Sequence, residues 1–151
     1  MYVFGSDFGA RWDVRFTFEP SPELQEVLLT VIARISRDTL RFDGMREFDP
    51  GVWRVDIRRD VFPVPGLVLS LGVNNQDGSG FGISSGLDTL AATLQIAHNF
   101  QDFDEWLQWP TLPGGGHLDP GIVDGEATWM LRGEVVAPIG QLTEYLDRLD
   151  Q

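Results

Sequence analysis

The spacing of hydrophobic positions changes along the chain, and each change marks an element. In residues 12–18, Trp12, Val14, Phe16 and Phe18 alternate with Asp13, Arg15 and Thr17. A period of two predicts a half-buried strand, and Pro20 ends it. Ser21-Pro22-Glu23 then reads as a helix start: an N-cap oxygen, a proline at the first helical position and an acid near the positive dipole end. Leu24, Val27, Leu28, Val31, Ile32 and Ile35 follow at helical spacing, and Arg34 and Arg37 sit where the dipole favours cations. The pattern predicts a helix over 21–38. Residues 39–49 are mixed, with a short strand expected around Leu40–Phe42. Trp53, Val55 and Ile57 alternate with Arg54, Asp56 and Arg58, which gives a strand over 52–57. Residues 67–73 are apolar with little alternation, as in a central strand covered on both faces. Asn74 to Gly80 is a turn by composition, and Phe81–Ser84 would close a hairpin.

A second helical pattern runs over 87–108. Leu90, Leu94, Ala97 and Gln101 mark one line, and Ile96, Phe100, Phe103 and Leu107 the adjacent one. Pro110 stops it. Residues 110–121, rich in Gly and Pro, are expected to be irregular. Ile122-Val123, Asp124-Gly125 and Ala127–Leu131 read as a hairpin with a type I′ turn. Val135–Ala137 is a further short strand. Pro138 and Gly140 open a last amphipathic helix through Leu142, Tyr145, Leu146 and Leu149. Residues 1–10, Gly-rich and aromatic, are expected to be loosely fixed.

These elements predict an α+β fold: one domain over 1–151, with a mostly antiparallel sheet packed by two long helices, then a C-terminal hairpin and short helix. A body of 1–109 and a unit of 122–151 would be joined by the Gly/Pro loop. About thirty residues without metal or disulfide rarely fold alone, so the unit is expected to pack on the body.

Charge changes this picture more than composition does. The 151 residues carry a formal net charge of −12, unevenly placed. Residues 1–59 hold nine Arg and ten acids, whereas residues 60–131 hold nine acids and no basic residue but histidine. Such a segment repels nucleic acid and anionic lipid and suits a basic protein, a cation or water. Cysteine is absent, which excludes disulfides and thiolate sites. Lysine is absent too and all eleven basic residues are Arg, which points to a bacterial genome rich in G and C. No stretch reaches the about 18 apolar residues of a membrane span, and Asp7, Arg11, Asp13, Arg15 and Glu19 interrupt any leader-like core. A cytoplasmic location is expected.

Several groups could carry chemistry. Gly82-Ile83-Ser84-Ser85-Gly86 matches G-x-S-x-G between a predicted strand and a predicted helix, where a nucleophile elbow exposes its serine. His117 would be the base, with Asp102 or Asp104 orienting it. Against this hydrolase stand the hairpin setting of the strand and the lack of repeated βα units; the competing reading is a strand-to-helix turn capped by serine. The glycines of 77–82 lack the cation and helix of a phosphate loop. A calcium loop would need Val73 and Ser84 as its end ligands, which excludes it. His98 and His117 have no His or Cys partner at ligand spacing, so no metal or cofactor is expected. Asp102, Asp104 and Glu105 lie beside Trp106 and Trp109. With Asp119 they are candidates for partner binding, or simply an exposed acidic helix end.

The segment from Trp106 to Leu142 resembles the C-terminal part of a group of uncharacterised actinobacterial proteins. The matching residues are Trp109-Pro110, then His117-Leu118-Asp119-Pro120, then Gly125-Glu126-Ala127-Thr128-Trp129, and then Ala137-Pro138-Ile139-Gly140. In that group cysteines fall near Leu112 and Leu131. The resemblance implies a shared fold unit in which apolar packing replaces a metal staple, and it implies no activity.

The expectation from all of this is a non-catalytic acidic interaction domain that binds a basic partner, as an immunity protein, an inhibitor or an adaptor does. The alternatives are the Ser84 hydrolase and a small-ligand binder built on the aromatic residues of the second helix and the Gly/Pro loop.

Overall fold

Helix α1 (Pro22–Arg37) begins where its capping residues place it. The Ser21 hydroxyl accepts the Leu24 N–H at 3.2 Å, and Pro22 occupies the first turn, where a missing N–H costs nothing. Leu28, Val31, Ile32 and Ile35 form its buried stripe, joined by Ser36, whose hydroxyl donates to the Ile32 carbonyl at 2.6 Å. In this computed structural model residues 2–7, 11–39, 42, 51–58, 66–73, 80–84, 88–101 and 109–151 are described, several strand residues by backbone alone.

Strands β1 (Tyr2–Asp7), β2 (Arg11–Phe16), β3 (Gly51–Arg58), β4 (Gly66–Val73) and β5 (Gly80–Ser84) form one sheet in sequence order. Only β2 and β3 run parallel, because α1 lies between them in the chain; the other pairs are antiparallel. Two expectations need correction. The first residues are not a loose start: β1 pairs with β2 from Tyr2↔Phe16 to Asp7↔Arg11. Gly5 and Ser6 hid the alternation, and an edge strand draws its pairing from the neighbour's backbone. Strand β4 is covered unequally on its two faces: Leu67 and Leu69 are buried while Val68 and Ser70 are half-buried. It is also second from the sheet edge rather than central. Phe42 belongs to no strand; Leu40 and Arg41 lie outside the described residues, as does the expected turn at 74–79.

Helix α2 (Thr89–Gln101) packs on α1 and buries Ala92, Thr93, Ile96, Ala97 and Phe100. Its cap is not a serine. The Asp88 carboxylate accepts the Ala91 N–H at 2.8 Å. Residues 102–108, the expected end of the helix, lie outside the described residues.

The Gly/Pro segment is more ordered in its bonding than its composition suggests. Thr111 and His117 form an antiparallel bridge. The Leu118 N–H donates to the Pro110 carbonyl at 2.9 Å, and the Gln101 side-chain amide donates to the Leu118 carbonyl at 2.7 Å. The loop's last residues already belong to β6 (Asp119–Val123), which starts three residues earlier than the hairpin pattern suggested. Strands β6, β7 (Glu126–Leu131) and β8 (Glu134–Pro138) form a second antiparallel sheet. Positive φ at Asp124 (51°) and Gly125 (78°) fits the expected I′ turn, and Arg132 (51°) with Gly133 (84°) repeats it. Helix α3 (Leu142–Leu149) closes the chain.

One hydrophobic cluster serves both sheets. It includes Phe16, Ile32, Trp53, Leu69 and Ile96 from the first part, and Leu118, Trp129, Leu142 and Leu146 from the last. The fold is therefore α+β with a single shared core. No described helix is long and apolar enough to cross a membrane.

Candidate functional site

The residue that ties the end of α1 to the C-terminal sheet and α3 by hydrogen bonds was not among the sequence candidates. Asp38 follows the last turn of α1 and is fully buried. Its Oδ2 accepts the Trp129 indole N–H at 2.7 Å and the Gly140 N–H at 2.6 Å, and its Oδ1 accepts the Leu142 N–H at 3.0 Å. Leu142 opens α3, whose own cap residue Gln141 makes no side-chain cap bond. An aspartate 104 residues away in the chain thus caps this helix. The Asp38 backbone carbonyl accepts the Trp109 indole N–H at 3.1 Å.

Burial pushes the Asp38 carboxyl up to about 7, and the three donors only partly offset it; nearby Glu144 adds a small upward push. Aromatic rings continue the seam on its apolar side. Trp53, Phe100, Trp109 and Trp129 follow one another at centroid distances of 5.9, 5.2 and 5.2 Å, the last two contacts edge to face. On the exposed side Arg37 pairs with Glu144, and the Thr143 hydroxyl donates to the Arg37 carbonyl.

A signal for Asp38 was present in the sequence. An acid just past a helix C-terminus, after Arg34 and Arg37, opposes the dipole. It calls for donors from elsewhere, but nothing local names them.

The sequence candidates fall in different places. Ser84 ends β5, paired with Gly66 on an antiparallel neighbour. The first half of G-x-S-x-G therefore lies within a hairpin arm, and residues 85–87 lie outside the described residues. His117 is exposed in its bridge with Thr111, and His98 is exposed on α2. Asp102, Asp104, Glu105 and Trp106 all lie outside the described residues. Asp119 is exposed at the start of β6, opposite Met130. Leu112 and Leu131 pack against the shared core. Among the described residues no group of three or more His, Asp or Glu is placed to hold a metal ion.

A cleft of about 300 Å³ opens beside the seam. Arg34, Thr89, Leu90, Glu126, Ile139 and Gln141 are among its walls, and no aromatic ring lines it. Of the aromatic residues expected to form a ligand pocket, Phe100 is buried in the core, while Phe103 and Trp106 lie outside the described residues.

The remaining surface feature is the C-terminal sheet. Pro120, Trp129 and Ala137 face the core as one cross-strand row. The row Asp119, Met130 and Val135 lies on the opposite face. Val135 is 57% exposed. From Trp109 onward the chain carries seven acids and two Arg, and all seven acids are exposed.

Comparisons with protein-family models, curated proteins and solved structures find no match to this chain.

Proposed function

We propose that this protein is a non-catalytic interaction domain whose acidic surface meets a basic protein partner. An immunity, inhibitor or adaptor role has this chemistry. The observation that carries the reading is the disposition of charge in the last third of the chain. Asp119, Asp124, Glu126, Glu134, Glu144, Asp147 and Asp150 are exposed there against Arg132 and Arg148. These acids stand on elements that share one core with the rest of the fold, so a partner would meet a preorganised surface. Such a surface favours fast, salt-sensitive association.

The test is affinity capture from extracts of the source organism at low and high salt. Two baits are compared: the native chain, and a variant with all seven of these acids changed to their amides. A basic protein held by the native chain at low salt, released at high salt and missed by the variant is the expected result. An empty low-salt capture, or identical captures by both baits, would count against the reading.

A further inference from the structure

We propose that the outer face of the β6–β7–β8 sheet is the docking surface, and that it takes a protein segment in which Arg residues alternate with apolar side chains. The inference rests on the interaction reading above and gives it a location and a partner chemistry.

The register defines the face. Asp119, Met130 and Val135 form one row across the three strands; Gly121, Thr128 and Pro138 form the next; Val123 and Glu126 form the third. Thr128 is buried and makes the floor, while Val135 is 57% exposed. The row thus sets two apolar side chains beside a carboxylate. Met130 lies across Gly121: a Cβ on that glycine would come 2.7 Å from the Met130 sulfur. A flexible thioether over a bare backbone can reshape around an incoming side chain, and methionine is enriched in interface cores.

Charge defines the occupant. Asp119 and Glu126 stand on the face, Asp124 and Glu134 are exposed in the flanking turn and strand end, and Arg132 is the single cation in β6, β7, β8 and their turns. An apolar centre with an acidic rim is complementary to apolar side chains flanked by Arg.

The edges say how contact is made. Strand β6 carries Pro120; strand β8 carries Pro138 and a register shift opposite Trp129 and Met130. Proline and bulges blunt an edge against strand addition. The partner therefore packs side chains onto the face and does not extend the sheet.

The probe is a synthetic peptide of alternating Arg and Leu, titrated into the full isotope-labelled chain at low and high salt. A peptide of alternating Arg and Ser is the control. Amide shifts gathered on Gly121, Val123, Thr128, Met130 and Val135, lost at high salt, are expected. The control peptide and the surface variant Val135→Glu should each bind about tenfold more weakly. Shifts that are absent, that centre on α3 or the five-stranded sheet, or that survive Val135→Glu unchanged overturn this inference alone. The capture experiment decides the reading beneath it, because it depends on no assumption about which face is used.

Discussion

Two groups of carboxylates on the C-terminal unit's borders do opposite work. At the seam, Asp38 is fully buried and holds three donors from β7 and the start of α3. On the outer face, Asp119 and Glu126 are exposed beside apolar side chains. The same functional group is committed in one place and uncommitted in the other. The difference lies in what surrounds it. A buried carboxylate is tolerated only when local donors replace water, and those donors then depend on it. An exposed one is satisfied by water and costs little to leave there, so it is free to select a partner. The seam thus bears on stability, and the face is where we propose that recognition takes place.

The comparison is broken most directly at Asp38. Asp38→Ala leaves the Trp129 indole N–H and the Gly140 and Leu142 N–H groups buried without their acceptor. A loss of about 3–5 kcal/mol in unfolding free energy is expected, read from urea denaturation. A loss below 1 kcal/mol would show that the seam holds without its carboxylate. By contrast, Asp119→Asn on the face should change stability by less than about 0.5 kcal/mol.

The pH dependence sharpens the same contrast. Burial raises the Asp38 carboxyl to about 7 in the fold, from its ordinary 3.8. Between those values the native state holds a proton that the unfolded chain has released. The contribution of this group is therefore fully present below about pH 4, falls as pH rises through 7, and is flat above. The span is on the order of 4 kcal/mol at most. It is measured as the difference between native protein and Asp38→Asn across pH 4 to 8. A difference that is flat or rises with pH would mean that the donors, not burial, set the proton affinity.

How much of this was legible in the sequence depended on whether the determinant was local. Ser21, Pro22 and the apolar stripe of α1 are neighbours in the chain, and the helix ends within one residue of its expected bounds. The Asp124-Gly125 turn needs two positive φ values in adjacent residues, and composition announces that. The misreadings were non-local. Strand β1 takes its order from β2, and β4 shows which of its faces is the better covered only once packed. Asp38 lies 91 residues from Trp129 and 102 from Gly140, so no periodicity links them. The aromatic residues near 100–109 suggested a ligand platform because their composition fits one. Their geometry makes Phe100 and Trp109 part of the core.

Gly140 tests the seam at a smaller scale. Its φ of 103° is strained for a side chain, and a Cβ would come within 3.0 Å of Arg34 Cβ and Cγ. Gly133 shares the positive φ, at 84°, but has open space where a Cβ would go. Gly133→Ala should therefore cost about 1 kcal/mol from backbone conformation alone. Gly140→Ala should cost about 1–3 kcal/mol, because Arg34 and the start of α3 must also part. Thermal denaturation of the two variants gives the difference. Equal losses would mean that α1 and the β8–α3 connection do not need to approach so closely.

The smallest effect expected at the seam belongs to its exposed ion pair. Arg37 and Glu144 join the same two helices as Asp38 does, and each side chain is 46% exposed. Water competes for both charges, and holding two long side chains in place costs entropy, so the net gain is about 0–1 kcal/mol. Arg37→Ala should accordingly lower the urea midpoint only slightly, and the loss should shrink further in high salt. The effect of Asp38→Ala should not shrink, because its donors are buried and screening does not reach them. If the two variants instead lost similar stability with similar salt dependence, the seam would be an electrostatic surface contact. Its resemblance to the outer face would then be closer than its burial suggests.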